Sequence, residues 1–117
     1  MTISPSDKRL SHAPEPPYMA VIFTSIQNDG PLDGYSQTAE DMVRLAAEQS
    51  GYIGYESAHD RDGTGITVSY WENEASIKKW KQQADHMTAQ KAGRNKWYRA
   101  YITRIARVDR HYAFENT

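Results

Sequence analysis

The sequence predicts an α+β domain: one four-stranded antiparallel sheet with two helices on a single face. Three observations predict it. Apolar residues fall into four stretches of strand type and two of helical period, in the order strand, helix, strand, strand, helix, strand. Turn chemistry separates the stretches. Right-handed crossovers then favour one arrangement of the two strand–helix–strand units, the ferredoxin-like β-α-β-β-α-β order.

Residues 1–17 carry four of the five prolines and only two aliphatic side chains larger than alanine, Ile3 and Leu10. They read as an extended N-terminal arm ending at Pro16-Pro17, and one use for such an arm is to grip a partner subunit. The folded domain is expected over residues 18–114, with a short tail at 115–117. From Tyr18 to Gln27 both alternating faces are largely apolar, as in a strand covered on both sides. Asn28-Asp-Gly-Pro31 breaks it. Asp33 is the expected cap of a first helix running to about Ser50, with Tyr35, Ala39, Met42, Leu45 and Ala46 on one face and Gly51 in the C′ position.

Tyr52 to His59 reads as the second strand and Asp60-Arg-Asp-Gly63 as a hairpin turn. Gly65 to Trp71 is the third strand, with Ile66, Val68 and Tyr70 on one side and Thr67, Ser69 and Trp71 on the other. Asn73 caps a second helix whose apolar stripe is Ile77, Trp80, Ala84 and Met87. The polar run Gln82 to His86 leaves a kink open. Trp97 to about Phe114 reads as a long fourth strand, with Tyr98, Ala100, Ile102, Ala106 and Val108 at period two and Arg104 hinting at a bend or an edge. Helices cover only one face of such a sheet. Because strand 1 is apolar on both sides, a homodimer packed sheet to sheet is expected.

Composition narrows the function. At 117 residues, 38% hydrophobic and 25% charged, the chain suits one globular domain and is too interrupted for a membrane span. No apolar run follows Lys8-Arg9, so a secretory signal is not expected and a cytoplasmic setting is. The absence of cysteine excludes thiolate nucleophiles, disulfides and Cys-containing metal sites. The four histidines have no metal-ligand spacing, and Asp60 and Asp62 share one turn and read as solvated. No metal is expected. Residues 1–77 carry four basic and twelve acidic side chains, whereas residues 78–110 carry ten basic and two acidic. Overall neutrality favours mutual neutralisation within the fold over a nucleic-acid surface. Strand 3 also lacks the aromatic run of an RNA-recognition motif.

What remains is a concentration of indoles, phenols and arginines. Trp71, Trp80, Trp97, Tyr98 and Tyr101 lie within thirty-one residues of chain. Such side chains suit a flat aromatic ligand, offering apolar area and one polar handle each, although any one of them also suits a core. Arg99, Arg104 or Arg107 has the charge to stabilise a phenolate beside them. His86 falls off the helix stripe and is expected near solvent.

The run Trp71-Glu-Asn-Glu-Ala-Ser-Ile-Lys-Lys-Trp80, with Asp85-His-Met-Thr-Ala-Gln90 and Trp97-Tyr98, resembles the antibiotic biosynthesis monooxygenase family. The resemblance extends over residues 18–114 and implies a dimeric α/β barrel with a pocket between helices and sheet. Some members oxygenate polyketide anthrones or quinols with oxygen alone; others degrade haem. Trp80 matches the tryptophan that lines the pocket of the haem-degrading branch, and Asn28 is the candidate for its strand 1 asparagine. Gln90 stands where that branch has its axial histidine, which argues against haem. The expectation is therefore a cofactor-independent monooxygenase acting on a phenolic, quinol or polyketide-type aromatic. His86 or Tyr101 is the expected proton acceptor, Arg99 the anion stabiliser, and Trp80, Tyr98, Trp71 and Asn28 the substrate contacts. The competing expectation is a non-catalytic dimeric domain that binds a small molecule or regulates a partner.

Overall fold

The computed structural model of the chain describes residues 6–12, 14–90 and 96–116. Residues 1–5 of the expected arm lie outside them. The elements are β1 (Tyr18–Gln27), α1 (Tyr35–Ala47), β2 (Tyr52–His59), β3 (Thr64–Trp71), α2 (Glu74–Gln90) and β4 (Tyr98–Val108). The sheet is antiparallel throughout, in the order β2-β3-β1-β4. This is the ferredoxin-like α+β arrangement. β1 and β3 are internal, and the helices cover one face of β1.

Register fixes the faces. Met19 faces Trp71, Val21 faces Ser69 and Phe23 faces Thr67. These residues lie on the helix side, where Val21, Ala46, Trp71 and Ile77 form the buried cluster and Met19, Tyr52 and Trp80 pack against it. The other face carries Ala20, Ile22 and Thr24 beside Tyr70, Val68 and Ile66. That face is open: Ile66 is 47% exposed and Ile102 is 53% exposed. At its other end Tyr18 and Ala20 are buried, because both terminal segments cross there. The Tyr18 hydroxyl meets His111 Nδ1 at 2.8 Å, and the Ser11 amide donates to Glu56 at 3.0 Å.

Several local expectations need correction. α1 starts at Tyr35 behind Gly34, which is left-handed at φ 82°, and no side chain caps it. Asp33 instead uses its backbone carbonyl, which accepts the Trp97 indole N–H at 3.0 Å. The helix ends at Ala47 with Glu48 as C-cap, so Gly51 belongs to the turn entering β2 and is not the helix C′ residue. By contrast, Asn73 does cap α2, its side-chain oxygen accepting the Ser76 amide at 2.9 Å. α2 then runs unbroken through Gln82–His86 to Gln90. β4 stops at Val108 and does not continue to Phe114, because Val108 pairs with Tyr18 and β1 offers no earlier strand residue. As an edge strand it also explains why Arg104 is tolerated and exposed.

A bulge gives β4 its functional shape. Ala100 pairs with Ile26, but Tyr98 pairs with Gln27, leaving Arg99 as the extra residue. The extra residue reverses the alternation. Tyr98 therefore joins Tyr101 on the helix side, whereas strict period two had grouped it with Ile102.

Candidate active site

Two aromatic groups stand on the helix side of the sheet, at opposite ends. Trp71, with no exposed surface, anchors the first. Its ring lies 5.1 Å from Trp80 at an interplanar angle of 32° and 5.5 Å from Tyr52 edge to face. The Trp71 indole donates to Ser69 Oγ at 2.9 Å. Trp80 Nε1 is also buried, yet it has no hydrogen-bond partner among the described residues. An orphaned buried donor costs about 1–3 kcal/mol, so this indole has unspent capacity for an acceptor.

The second group surrounds the bulge. Phe23 lies 5.2 Å from Tyr101 and 5.6 Å from Tyr98, and Tyr98 lies 5.5 Å from Tyr101. Tyr35, on the first turn of α1, reaches both Tyr98 at 6.0 Å and Trp97 at 5.8 Å. Edge-to-face contacts of this kind hold rings rigidly and leave flat surfaces available to a ligand. The Trp97 indole, bonded to Asp33, ties the start of β4 to the entry of α1. Tyr101 is 38% exposed, so the group is open to solvent on one side. The 17-residue α2 starts beside Trp71 and runs about 25 Å, close to the length of sheet between the two groups.

Burial raises the Tyr98 phenol well above the ordinary tyrosine range, and the neighbouring Tyr35 adds to the effect. Burial likewise raises Tyr70 on the open face, assisted by its 2.6 Å hydrogen bond to Glu56. Both phenols are therefore neutral donors in the folded protein. An unfolded tyrosine ionises near about pH 10. The stability that these two residues contribute is fully present below that pH and is lost as pH rises from there toward their folded values. Thermal melts at stepped alkaline pH should show the midpoint falling above about pH 10, with Tyr98→Phe flattening the decline.

The structure brings Tyr98 to Tyr101 and Trp71 to Trp80, but not one pair to the other. His86 is exposed, as the helical phase predicts. It borders an open groove of about 400 Å³ between the helices, lined also by Leu45, Gln82, Gln83 and Met87. Arg99 projects from the bulge and is ion-paired with Asp29 at 2.7 Å. Arg107 pairs with Asp109 at 2.7 Å, and Arg104 lies on the open face opposite Ile22. The Asn28 amide donates to the Trp97 carbonyl at 2.7 Å, and its side chain accepts from the Asp29 amide, so Asn28 braces the loop beneath the second group. Sequence reasoning missed Phe23 and Tyr35 as members of that group. Their signal was only a ring on β1 and another on α1, meaningful once the bulge had turned Tyr98 toward them.

Haem is a poor fit to the described residues. The one histidine on α2 is exposed on a groove wall, not set in a closed apolar pocket. The side chain of Gln90 lies outside the described residues. No group of three or more His, Asp or Glu side chains suited to a metal occurs among them either.

A four-stranded sheet of this order, with aromatic side chains gathered under its helices, places the chain in a class of small ferredoxin-like α+β proteins. Residues 17–92 match the family described as antibiotic biosynthesis monooxygenase. The chain belongs to that family. It is 50% identical over 109 residues to the uncharacterized protein YqjZ of Bacillus subtilis, spanning 92% of this chain and 95% of that one. It is 30% identical over 92 residues to a jasmonate monooxygenase of Pyricularia oryzae, spanning 76% of this chain but only 42% of the fungal protein. Among solved structures, a point mutant of SnoaB from Streptomyces nogalater, described as a cofactor-independent oxygenase, superposes with a TM-score of 0.66. That match covers 84% of this chain and 98% of SnoaB at 12% identity, and shows the shared fold.

Proposed function

We propose that this protein is a cofactor-independent monooxygenase that oxidises a phenolic, quinol or polyketide-type aromatic with molecular oxygen and works as a homodimer. The observation that carries the reading is the half-open group of Phe23, Tyr35, Tyr98 and Tyr101, which offers ring faces together with the neutral phenol of Tyr98. Family membership and the likeness to a jasmonate monooxygenase and to SnoaB, a cofactor-independent oxygenase, support it. The open, isoleucine-bearing sheet face supports the homodimer.

In this reading the protein binds the substrate as its anion and excludes water, and the substrate supplies the electrons. An anthrone carbanion passes one electron to oxygen. The resulting substrate radical and superoxide combine to a peroxide anion, which takes back the abstracted proton as a hydroperoxide and then loses water to leave the quinone. One oxygen atom enters the product and the other leaves as water, so no external reductant is required. Phe23, Tyr35 and Tyr98 serve as the walls, whereas Trp80, packed on Trp71 at the opposite end of the helix side, lies outside this lining. Tyr101, standing against Tyr98, and His86, on the groove, are the two proton-acceptor candidates. The ion pair with Asp29 favours an anchoring role for Arg99 over direct contact with the anion.

Oxygen uptake by the purified protein, without added cofactor, over a panel of anthrones and hydroquinones tests this. Uptake above the autoxidation blank is expected. Tyr98→Phe, which keeps a ring and removes the donor, should lower the rate about tenfold. Tyr101→Phe and His86→Gln separate the two proton acceptors. Saturable binding of the same compounds with no uptake would instead establish a non-catalytic binding domain.

A further inference from the structure

The aromatic group around the bulge has a polar floor of its own. Ser25 stands on the helix side of β1, next after Phe23 on that side, with Tyr101 opposite it on β4 and Gly65 opposite it on β3. The residue is buried, at 6% exposure. Ser69, the other buried serine, accepts the Trp71 indole N–H. The Ser25 hydroxyl, by contrast, has no hydrogen-bond partner among the described residues. Gly65 leaves room beside it: a Cβ there would lie 3.6 Å from Ser25 Oγ, and glycine keeps that place empty. His59 closes the row on β2, its Cβ 3.6 Å from the same point. Ser25 therefore sits in a notch between Tyr101 and His59, beside the ring of Phe23.

We propose that Ser25 is a specificity-determining residue of this site, its hydroxyl hydrogen-bonding a ring oxygen, carbonyl or hydroxyl, on the inner edge of a bound flat aromatic. The inference rests on the monooxygenase reading for the reaction and adds the feature by which a substrate is chosen. A buried hydroxyl without a partner costs folding free energy that an alanine would not. On the same side of β1, Met19, Val21 and Phe23 are all apolar, so packing gives no reason for a serine at the next position. A group kept at the expense of stability is what a binding residue looks like. Its chemistry fits the task. A hydroxyl both donates and accepts, so it meets an anthrone carbonyl or a quinol hydroxyl alike. A plain hydrocarbon leaves it unpaired and binds less well for that reason. The rings supply contact area whichever way a flat ligand lies; Ser25 decides which edge points inward.

Anaerobic binding of two probes to the parent and to Ser25→Ala tests this, read by quenching of intrinsic fluorescence. The probes are anthrone and dihydroanthracene, which has the same ring system without the oxygen. Anthrone should bind the parent at least about tenfold tighter. In Ser25→Ala the anthrone Kd should rise about tenfold, while the dihydroanthracene Kd stays within about twofold. The urea midpoint of the variant should equal or exceed the parent's, because a hydroxyl without a partner has been removed. An unchanged anthrone Kd, an equal loss for both probes, or a lowered midpoint overturns the proposal, as does a parent that binds neither probe. Oxygen uptake keeps the two readings apart. Uptake by the parent, with the anthrone Kd unchanged in Ser25→Ala, leaves the monooxygenase standing and removes Ser25 from its site. The expected Kd changes without any uptake keep Ser25 in the site and overturn the monooxygenase.

Discussion

Replacing Trp71 by alanine should lower the stability of this protein by about 3–5 kcal/mol, read as a shift in the urea midpoint at constant slope. Three losses combine. The indole is wholly buried and is the largest side chain of the core, so its removal leaves a cavity between the sheet and α2. Tyr52 and Trp80, 5.5 and 5.1 Å away, each lose a ring contact. Ser69 Oγ, in a buried residue, loses the indole N–H that now bonds it. A small domain has a total stability of about 5–15 kcal/mol, so this one change can take the protein close to its unfolding threshold. Ile105→Ala, on the same face but half exposed, should shift the midpoint by less than about 0.5 kcal/mol.

The second large effect is expected at Gly51. Its backbone is left-handed at φ 87°, and its carbonyl accepts the Glu72 amide at 2.8 Å, clipping the α1–β2 turn to the start of α2. An alanine there would hold a disfavoured conformation at a cost of about 1–2 kcal/mol. Its methyl would also collide with Ser76, whose Cβ lies 2.8 Å from the position it must take. Overpacking of this kind costs about 1–3 kcal/mol more. A double-mutant cycle with Ser76→Gly separates the contributions. The collision should vanish in the double variant, giving a favourable coupling of about 1–3 kcal/mol, while the backbone cost persists. A coupling near zero would mean that Ser76 yields without strain.

These two positions show where the sequence was legible and where it was not. Trp71 lies at a junction whose chemistry is local, an alternating strand ending in a tryptophan, whereas Gly51 was expected at the helix C′ position and belongs to the turn entering β2. Local chemistry also placed β1 and β2 at their observed limits and identified Asn73 as the cap of α2. Where tertiary contacts overrode it, sequence reasoning failed. Asp33 is a good capping residue, but the geometry that packs Trp97 against the entry of α1 recruits its carbonyl and leaves Gly34 at the cap. β4 ends where β1 runs out of partners, a fact about another part of the chain.

The candidate site was half legible for the same reason. The aromatic residues announced themselves by number, and the Trp71–Trp80 contact follows from a strand leading directly into a helix. The grouping of Phe23 and Tyr35 with Tyr98 depends on a bulge that no local residue type marks. His86 was placed correctly near solvent by helical phase alone, whereas the partner of Arg99 lies seventy residues away in sequence at Asp29.

That bulge carries a consequence for how such a protein can diversify. Because Arg99 is the extra residue, its loss would leave Tyr98 opposite Gln27 and Ala100 opposite Ile26, and the strand would alternate simply with the ring of Tyr98 still beside Phe23 and Tyr35. What such a deletion removes is the guanidinium and its ion pair with Asp29. Because β4 pairs on one side only, no second neighbour has to accommodate the change. A one-codon deletion at the edge of the sheet would thus strip a charge from the rim of the aromatic group while the rings and the four-stranded scaffold stayed in place.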